Sequence, residues 1–600
     1  MNPLRAVLLA FLLGAAALPL SATTWYVRAD GGTRYSPKVP NGQCDGSADA
    51  RYSGSGTNRR CAFNDFRYLY DDGTIGNWGW VIAGGDTVVI EGCAAGAGRI
   101  HPDAPHCRIG WDDNAGNSMS NPWCWYAPGS YGSNFGCFNP PIPAGTSANH
   151  TKIYGVCVIN HNCSMGNTTN RGNLVQLFGG FGTQFMLNLS KTQYVDIEGL
   201  ELTAHNGRCI HYGYPAYPKS CSNVIPGADD YSDNGVLTDN TTAYITLQDL
   251  YIHGFAGRGL QGPIGGPITM TRVFVGFNGF AGWDFDKDHV PDGSGSAIAA
   301  SYVTMEGNGC VEEYPIVNTQ FPALTCYDDS SGGFGDSWSG QDTLLATFTC
   351  DHCVMIYNTK DGFIGPHVGI SYLKITNSQS YGNMGQQWKW AGALNATTIF
   401  ENNLTVGNCR RMSELLPGAR PGFNRNLSDF CRAAGDVFSF NAAANSTVLF
   451  VNNSSVGYSA TMFDLACQRP NACNSTHFTF RNNIVLGYLN PRSNPPELPG
   501  IFYFSDPSIK LEEDHDLFFN LRSKPCPTFG RPDLICDSPA FVNQPPLQVT
   551  SEGQLDHFNF HPRRGSPADG RGQTVNGIAA DFFGVPRPNP PSIGAVEPDR

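Results

Sequence analysis

A chain of 600 residues can bury a large core, but only 15% of its residues are charged and 70 are glycine, a composition that serves long helices poorly. The net charge of −13 argues against a nucleic-acid partner, and an anionic ligand would need a local cationic patch or bridging metal ions. Cysteines number 20, an even count, with short-range couples at Cys44/Cys61, Cys209/Cys221, Cys310/Cys326, Cys409/Cys431, Cys467/Cys473 and Cys526/Cys536, which implies an oxidising compartment.

The chain opens with Arg5, an apolar run from Ala6 to Leu20 and the small residues Ser21 and Ala22. This reads as a signal peptide (residues 1–22) cleaved near Ala22, for a run of about 15 apolar residues is short of the roughly 20 that span a bilayer. A secreted or periplasmic protein without a transmembrane segment is expected. Residues 23–190 are irregular and rich in Trp, Gly, Pro and Cys, with early strands at Trp80–Ile90 and from His150, and are read as a cap with the first coils.

From Gln193 a short phrase of alternating apolar and polar residues returns: Tyr194-Val-Asp-Ile-Glu-Gly-Leu-Glu-Leu, Tyr244-Ile-Thr-Leu-Gln-Asp-Leu-Tyr-Ile, Tyr302-Val-Thr-Met-Glu-Gly-Asn, Val448-Leu-Phe-Val-Asn-Asn and Phe478-Thr-Phe-Arg-Asn-Asn. Period-2 alternation makes these strands. Asn377, Asn402, Asn452 and Asn482 close successive phrases at separations of 25, 50 and 30 positions, multiples of roughly one coil. The expected fold is all-β, a right-handed parallel β-helix (solenoid) with irregular N- and C-terminal caps, its core over 191–490 and its last coils and cap over 491–600. The repeated asparagines are read as turn or ladder residues without chemistry, since Asn tolerates left-handed backbone and bonds to the next rung. Cys350-Asp-His-Cys353 has no second CxxC at finger spacing, so zinc is not expected there.

Chemistry is sought between Gly335 and Arg411. Asp336 and Asp361 are 25 positions apart, which on successive rungs brings them about 5 Å apart, with Lys389 a rung further on. A pair of carboxylates at that distance suits a hard divalent ion, and calcium is the candidate cofactor. Such an ion could bind a uronate carboxylate while Lys389 removes the C5 proton, a β-elimination. Trp388 and Trp390, on one face of a strand, offer sugar stacking, and Arg410 and Arg411 offer bidentate carboxylate binding. A second acidic group, Asp284, Asp286, Asp288 and Asp292, is read as a polar loop by default.

The phrases Asn358-Thr-Lys-Asp-Gly-Phe, Tyr372-Leu-Lys-Ile-Thr-Asn-Ser, Tyr381-Gly-Asn and Trp388-Lys-Trp-Ala-Gly resemble family 9 pectate lyases over roughly 80 residues. The resemblance implies a right-handed parallel β-helix, Lys389 as catalytic base, and Asp336 and Asp361 as calcium ligands. Lys360 and Ile364 stand where that family has its outer acids, so Lys360 is expected to serve as a built-in cation toward the uronate. The expectation is a monomeric lyase acting on an acidic polysaccharide. A glycoside hydrolase on the same scaffold and a non-catalytic adhesive or carbohydrate-binding protein are the rival readings.

Overall fold

The computed structural model describes residues 22–599 except 71–78, 93–107, 111–136, 165–172, 179–182, 204–233, 286–294, 310–334, 341–343, 409–435, 468–472, 490–495, 523–532 and the single positions 139, 256, 279, 359 and 551. Within them the strands form two sheets, of 25 and 6 members, joined by parallel pairing. This is the parallel β-helix expected from the repeats, and the chain winds through three faces per turn.

The strand Gln193–Thr203 shows how one stretch serves two faces. Residues 195–198 pair with 151–154 and 245–248 on the first face, while 200–203 pair with 175–178 and 250–253 on the second. Between them Gly199 has φ +73°, a left-handed corner that glycine enters at no steric cost. The third face runs through 234–237, 258–261, 281–284 and 338–339, then through 388–391, 436–442, 461–467 and 500–504.

Stacking equal positions above one another produces side-chain ladders. Inside, aromatic rings pile up, as in Phe400 on Phe450 at 5.1 Å, Phe450 on Phe480 at 4.7 Å and Phe438 on Phe463 at 4.7 Å. At the corner between first and second faces, Asn377, Asn402, Asn452 and Asn482 all take left-handed backbone, with φ from 48° to 57°. Their neighbours Asn403, Asn453 and Asn483 are buried. Asn403 accepts the backbone N–H of Ser378, and Asn453 and Asn483 each accept both the backbone N–H and the side-chain N–H of the preceding winding's asparagine, at 3.0 Å from Asn403 to Asn453 and again from Asn453 to Asn483. The ladder ends on Asp516, which accepts from Asn483 N at 2.7 Å and Nδ2 at 2.9 Å.

The C-terminal segment does more than close an open end. Ile593, Ala595 and Val596 pack on Leu404, Val456, Ile484 and Leu517 of the second face, and Gly594 N donates to Asn482 O at 2.7 Å. Arg587, ion-paired with Glu597 at 2.8 Å, reaches Asn402 Oδ1 at 2.9 Å. It straps the outer apolar side of the second face.

Four disulfides lie among the described residues: Cys44–Cys61 and Cys467–Cys473 as expected, Cys157–Cys163, and Cys350–Cys353. The CxxC is therefore a buried cross-link within one coil. The couples Cys209/Cys221, Cys310/Cys326 and Cys409/Cys431, like Cys526 and the leader, lie outside the described residues. Among the described residues no helix is long and apolar enough to cross a membrane.

Candidate active site

The strand Trp388–Glu401 begins on the third face with strict alternation: Trp388 and Trp390 are fully buried and Lys389 points the other way. The register explains the choice of side. Trp388 pairs with Phe438 and Trp390 with Phe440, both core residues, and Trp390 packs 4.8 Å from the rings of Phe400 and Phe440. The indole N–H groups are used internally, Trp388 donating to Thr405 Oγ1 at 2.9 Å and Trp390 to Thr398 Oγ1 at 3.3 Å. The expectation of sugar stacking on these rings is corrected: they are core.

Lys389 lies on the outer side with 18% of its side chain exposed, and its Nζ is 3.4 Å from Asp361 Oδ2. Asp336 and Asp361 occupy successive windings, as their spacing of 25 predicts. Asp336 Oδ1 accepts the backbone N–H of Asp361 at 3.0 Å, and Asp361 Oδ1 accepts that of Gln386 at 2.7 Å. Gln386, rather than Lys389, is thus the next member of this row, and Lys389 reaches back to it from three residues on. Glycine at 385 is needed here, because a Cβ would run into Asp361 Oδ1.

Both carboxyls are fully buried. Burial pushes Asp336 up to about 7; the charge of Lys360 opposes the shift and that of Asp361 adds to it. Asp336 Oδ2 is buried without a hydrogen-bond partner. Lys360 is only 6% exposed and its charge acts on Asp336. It neutralises the buried cluster from within, which corrects its expected place as a contact to substrate.

Beyond Lys389 the register brings in two acids that sequence spacing does not reveal. Lys389 pairs with Ser439, and Ser439 with Asp464, so Asp464 lies on the same outer line two strands along. Its carboxyl is hydrogen-bonded to that of Asp436. Burial pushes Asp436 up to about 8, the charge and hydrogen bond of Asp464 adding to the shift while Gln386 and Lys389 oppose it; burial raises Asp464 as well. The Gln386 side chain hydrogen-bonds Asp436, yet Gln386 Oε1 and Asp464 Oδ1 have no hydrogen-bond partner.

Further up the third face Asp284 is buried and ion-paired with Arg258, whose guanidinium lies 3.9 Å over the ring of Phe280. Asp286, Asp288, Asp292, Arg410 and Arg411 lie outside the described residues. A calcium ion takes six to eight oxygens, whereas Asp336 and Asp361 have three of four carboxylate oxygens committed to protein donors. The pair does not fit such an ion at that position. Among the described residues a tight group of three side chains of metal-ligand type occurs at Asp514, His515 and Asp533, away from this row along the chain.

No protein-family model matches the chain, and no curated protein matches it in sequence. Among solved structures, pectate lyase Pel9A aligns over 97% of this chain and 98% of its own at 12% identity and a TM-score of 0.39. A rhamnogalacturonan lyase aligns over 87% and 91% at 11% identity and a TM-score of 0.35. A GH136 lacto-N-biosidase from Eubacterium ramulus aligns over 83% of this chain and 60% of its own at 11% identity and a TM-score of 0.31. The chain has distant pectate-lyase-like neighbours in structure. The parallel β-helix itself rests on the strand pairing above.

Proposed function

We propose that this protein is an exported, monomeric polysaccharide lyase that cleaves a uronate-containing polysaccharide by β-elimination, with Lys389 as the base. The supporting observation is the placement of Lys389: a part-exposed amine on the outer line of the third face, oriented by a buried carboxylate at 3.4 Å and followed by a second acidic pair. As a neutral amine it takes the C5 proton, the C–H electrons form the C4–C5 double bond, the C4–O bond breaks, and the departing oxygen takes a proton from water. Asp361 acts as a positioning residue for the amine. Four disulfides and the apolar leader ending near Ala22 support export.

The hydrolase alternative has one observation in its favour, the neighbouring carboxyls of Asp436 and Asp464, both pushed up by burial. Glycosidase carboxyls, however, stand about 5 to 9.5 Å apart so that a sugar carbon or a water fits between them, and these two are in hydrogen-bond contact. Their contact disfavours that role.

The test is an ultraviolet assay of the mature protein on polygalacturonate, pectin, alginate and glycosaminoglycans, beside Lys389→Ala. Absorbance from an unsaturated product with the wild type and its loss in the variant is the expected result. Reducing ends without absorbance would move the assignment to a hydrolase, and binding without either would move it to an adhesin.

A further inference from the structure

We propose that Tyr503 is a sugar-stacking platform on the same outer line as Lys389, so that the protein grips an extended polysaccharide of at least about four units along its third face. The inference deepens the lyase reading, on which the platform's part in turnover rests.

The register carries the line past the amine. Lys389 pairs with Ser439, Ser439 with Asp464 and Asp464 with Tyr503, so these four residues share one side of the sheet on successive strands. The residues before the last three turn inward, where Phe438 lies 4.7 Å from Phe463 and Phe463 lies 5.5 Å from Phe502. Tyr503 therefore stands about 14 Å from Lys389, three times the strand spacing. A pyranose ring with its linkage is about as long as that spacing of roughly 5 Å. A chain laid along the line brings about one sugar to each strand, and the third sugar beyond the one at Lys389 comes over Tyr503.

The rungs between them suit such a path. Ser439 is short and buried and Asp464 is half-buried, a low polar floor, whereas Tyr503 is 57% exposed. The core contacts of its strand are made by Ile501 and Phe502. Exposed rings elsewhere are covered from the next winding, Tyr244 by Tyr194 at 4.6 Å and Tyr302 by His352 at 4.7 Å. Tyr503 stacks on no ring among the described residues. Single exposed aromatics are ordinary on a protein surface; its place on the line that carries the amine sets this one apart. A tyrosine offers an apolar ring face to the C–H side of a sugar and keeps its hydroxyl in water.

The experiment measures elimination by absorbance on the uronate polymer that the wild type cleaves and on its size-separated oligomers. Tyr503→Ala and Tyr503→Phe are compared with the wild type and with Tyr372→Ala, an exposed tyrosine of the first face. In Tyr503→Ala, KM is expected to rise about three- to tenfold on oligomers of about five units or more. Its kcat stays unchanged, because the contact holds ground state and transition state alike. Oligomers below about four units, too short to reach from Lys389 to Tyr503, show no difference. Tyr503→Phe and Tyr372→Ala match the wild type throughout. A shift equal at all lengths, no shift at any length, an equal shift in Tyr372→Ala, or a Tyr503→Phe variant as impaired as Tyr503→Ala overturns the proposal. Affinity electrophoresis in gels cast with polygalacturonate or alginate separates this failure from that of the lyase reading. Retardation of the wild type that weakens in Tyr503→Ala, without elimination, would sink the lyase reading and leave the platform standing. Elimination without the length-dependent shift would do the reverse, and neither retardation nor elimination would sink both.

Discussion

The buried asparagine ladder and the acidic row of the third face use one structural device with opposite results. In both, a side-chain oxygen of one winding accepts the backbone N–H of the next or previous winding: Asn453 Oδ1 from Asn403, Asp336 Oδ1 from Asp361, Asp361 Oδ1 from Gln386. Asparagine also has an N–H₂ to donate, so Asn453 bonds onward to Asn483 Oδ1 and to Phe400 O, and the chain of partners continues. Aspartate has no such donor. Its second oxygen is left over, unpartnered in Asp336 and turned to Lys389 in Asp361. Exchanging amide for carboxylate at a stacking position turns a structural rung into one with an oxygen available to a proton, an amine or an ion.

The largest expected effect is at the amine. Lys389→Ala removes the proposed base while leaving the backbone hydrogen bonds of both rows intact, so turnover falls by about 10²–10⁴, and unpairing the buried Asp361 carboxylate lowers stability by about 1.5–3 kcal/mol. Absorbance kinetics and a denaturant melt of the same preparation read the two quantities. Lost stability with turnover retained would mean that Lys389 is a structural residue.

The ladder answers in the other currency. Asn453→Ala takes the acceptor from Asn403 N and from one of the two N–H bonds of Asn403 Nδ2, whose other bond goes to Ile375 O. At about 1–3 kcal/mol for each N–H left without its acceptor, the cost is on the order of 2–6 kcal/mol. Urea unfolding measures it through a shifted midpoint, and an unshifted midpoint would show that the windings hold without the ladder.

Asp361→Asn tests the comparison most directly, because it makes a rung of the acidic row resemble one of the ladder. The amide keeps an oxygen for Gln386 N but loses the charge facing Lys389. Hydrogen bonds to charged groups are worth about 1.5–3 kcal/mol, so turnover is expected to fall by roughly 10- to 100-fold in kcat and in the pH profile, with KM little changed and the fold preserved. A change in stability alone would confine Asp361 to a structural role.

How far this could be read from the sequence follows the same division. Asparagines at separations of 25, 50 and 30 positions announce the windings, and their left-handed backbone and stacking follow from the residue type. Asp336 and Asp361 are legible for the same reason, sharing the 25-residue period. Trp388 and Trp390 show what alternation leaves open: it puts both on one side without saying which side is inside, and only the pairing with Phe438 and Phe440 decides. Asp436 and Asp464 lie 47 and 75 positions beyond Lys389, across a stretch with no fixed period, so nothing local marks them as its neighbours. Aligning the aromatic pairs Trp388, Phe438 and Phe463 would have been the available signal.

Asp516 is the intermediate case, and its effect is the one that depends on pH. It stands at the end of the asparagine ladder, and burial pushes its carboxyl up to about 8 despite hydrogen bonds from Asn483 and Asp514. The unfolded chain would release that proton near pH 4, so between about pH 4 and pH 8 the folded state binds the extra proton. Stability contributed at this site is therefore full below the unfolded value and declines as pH rises through the folded one. Asp516→Asn keeps the acceptor for Asn483, adds the donor that the ladder lacks at its last rung, and has no proton to lose. The variant is expected to match the wild type near pH 4 and to exceed it increasingly up to pH 9. Urea midpoints measured across that range in chelator read the difference between the two chains, which cancels the contributions of Asp336 and Asp436. Parallel curves would mean that Asp516 is ionised in the folded protein, and the leftover oxygen would then tolerate charge at the end of a ladder as it does on the third face.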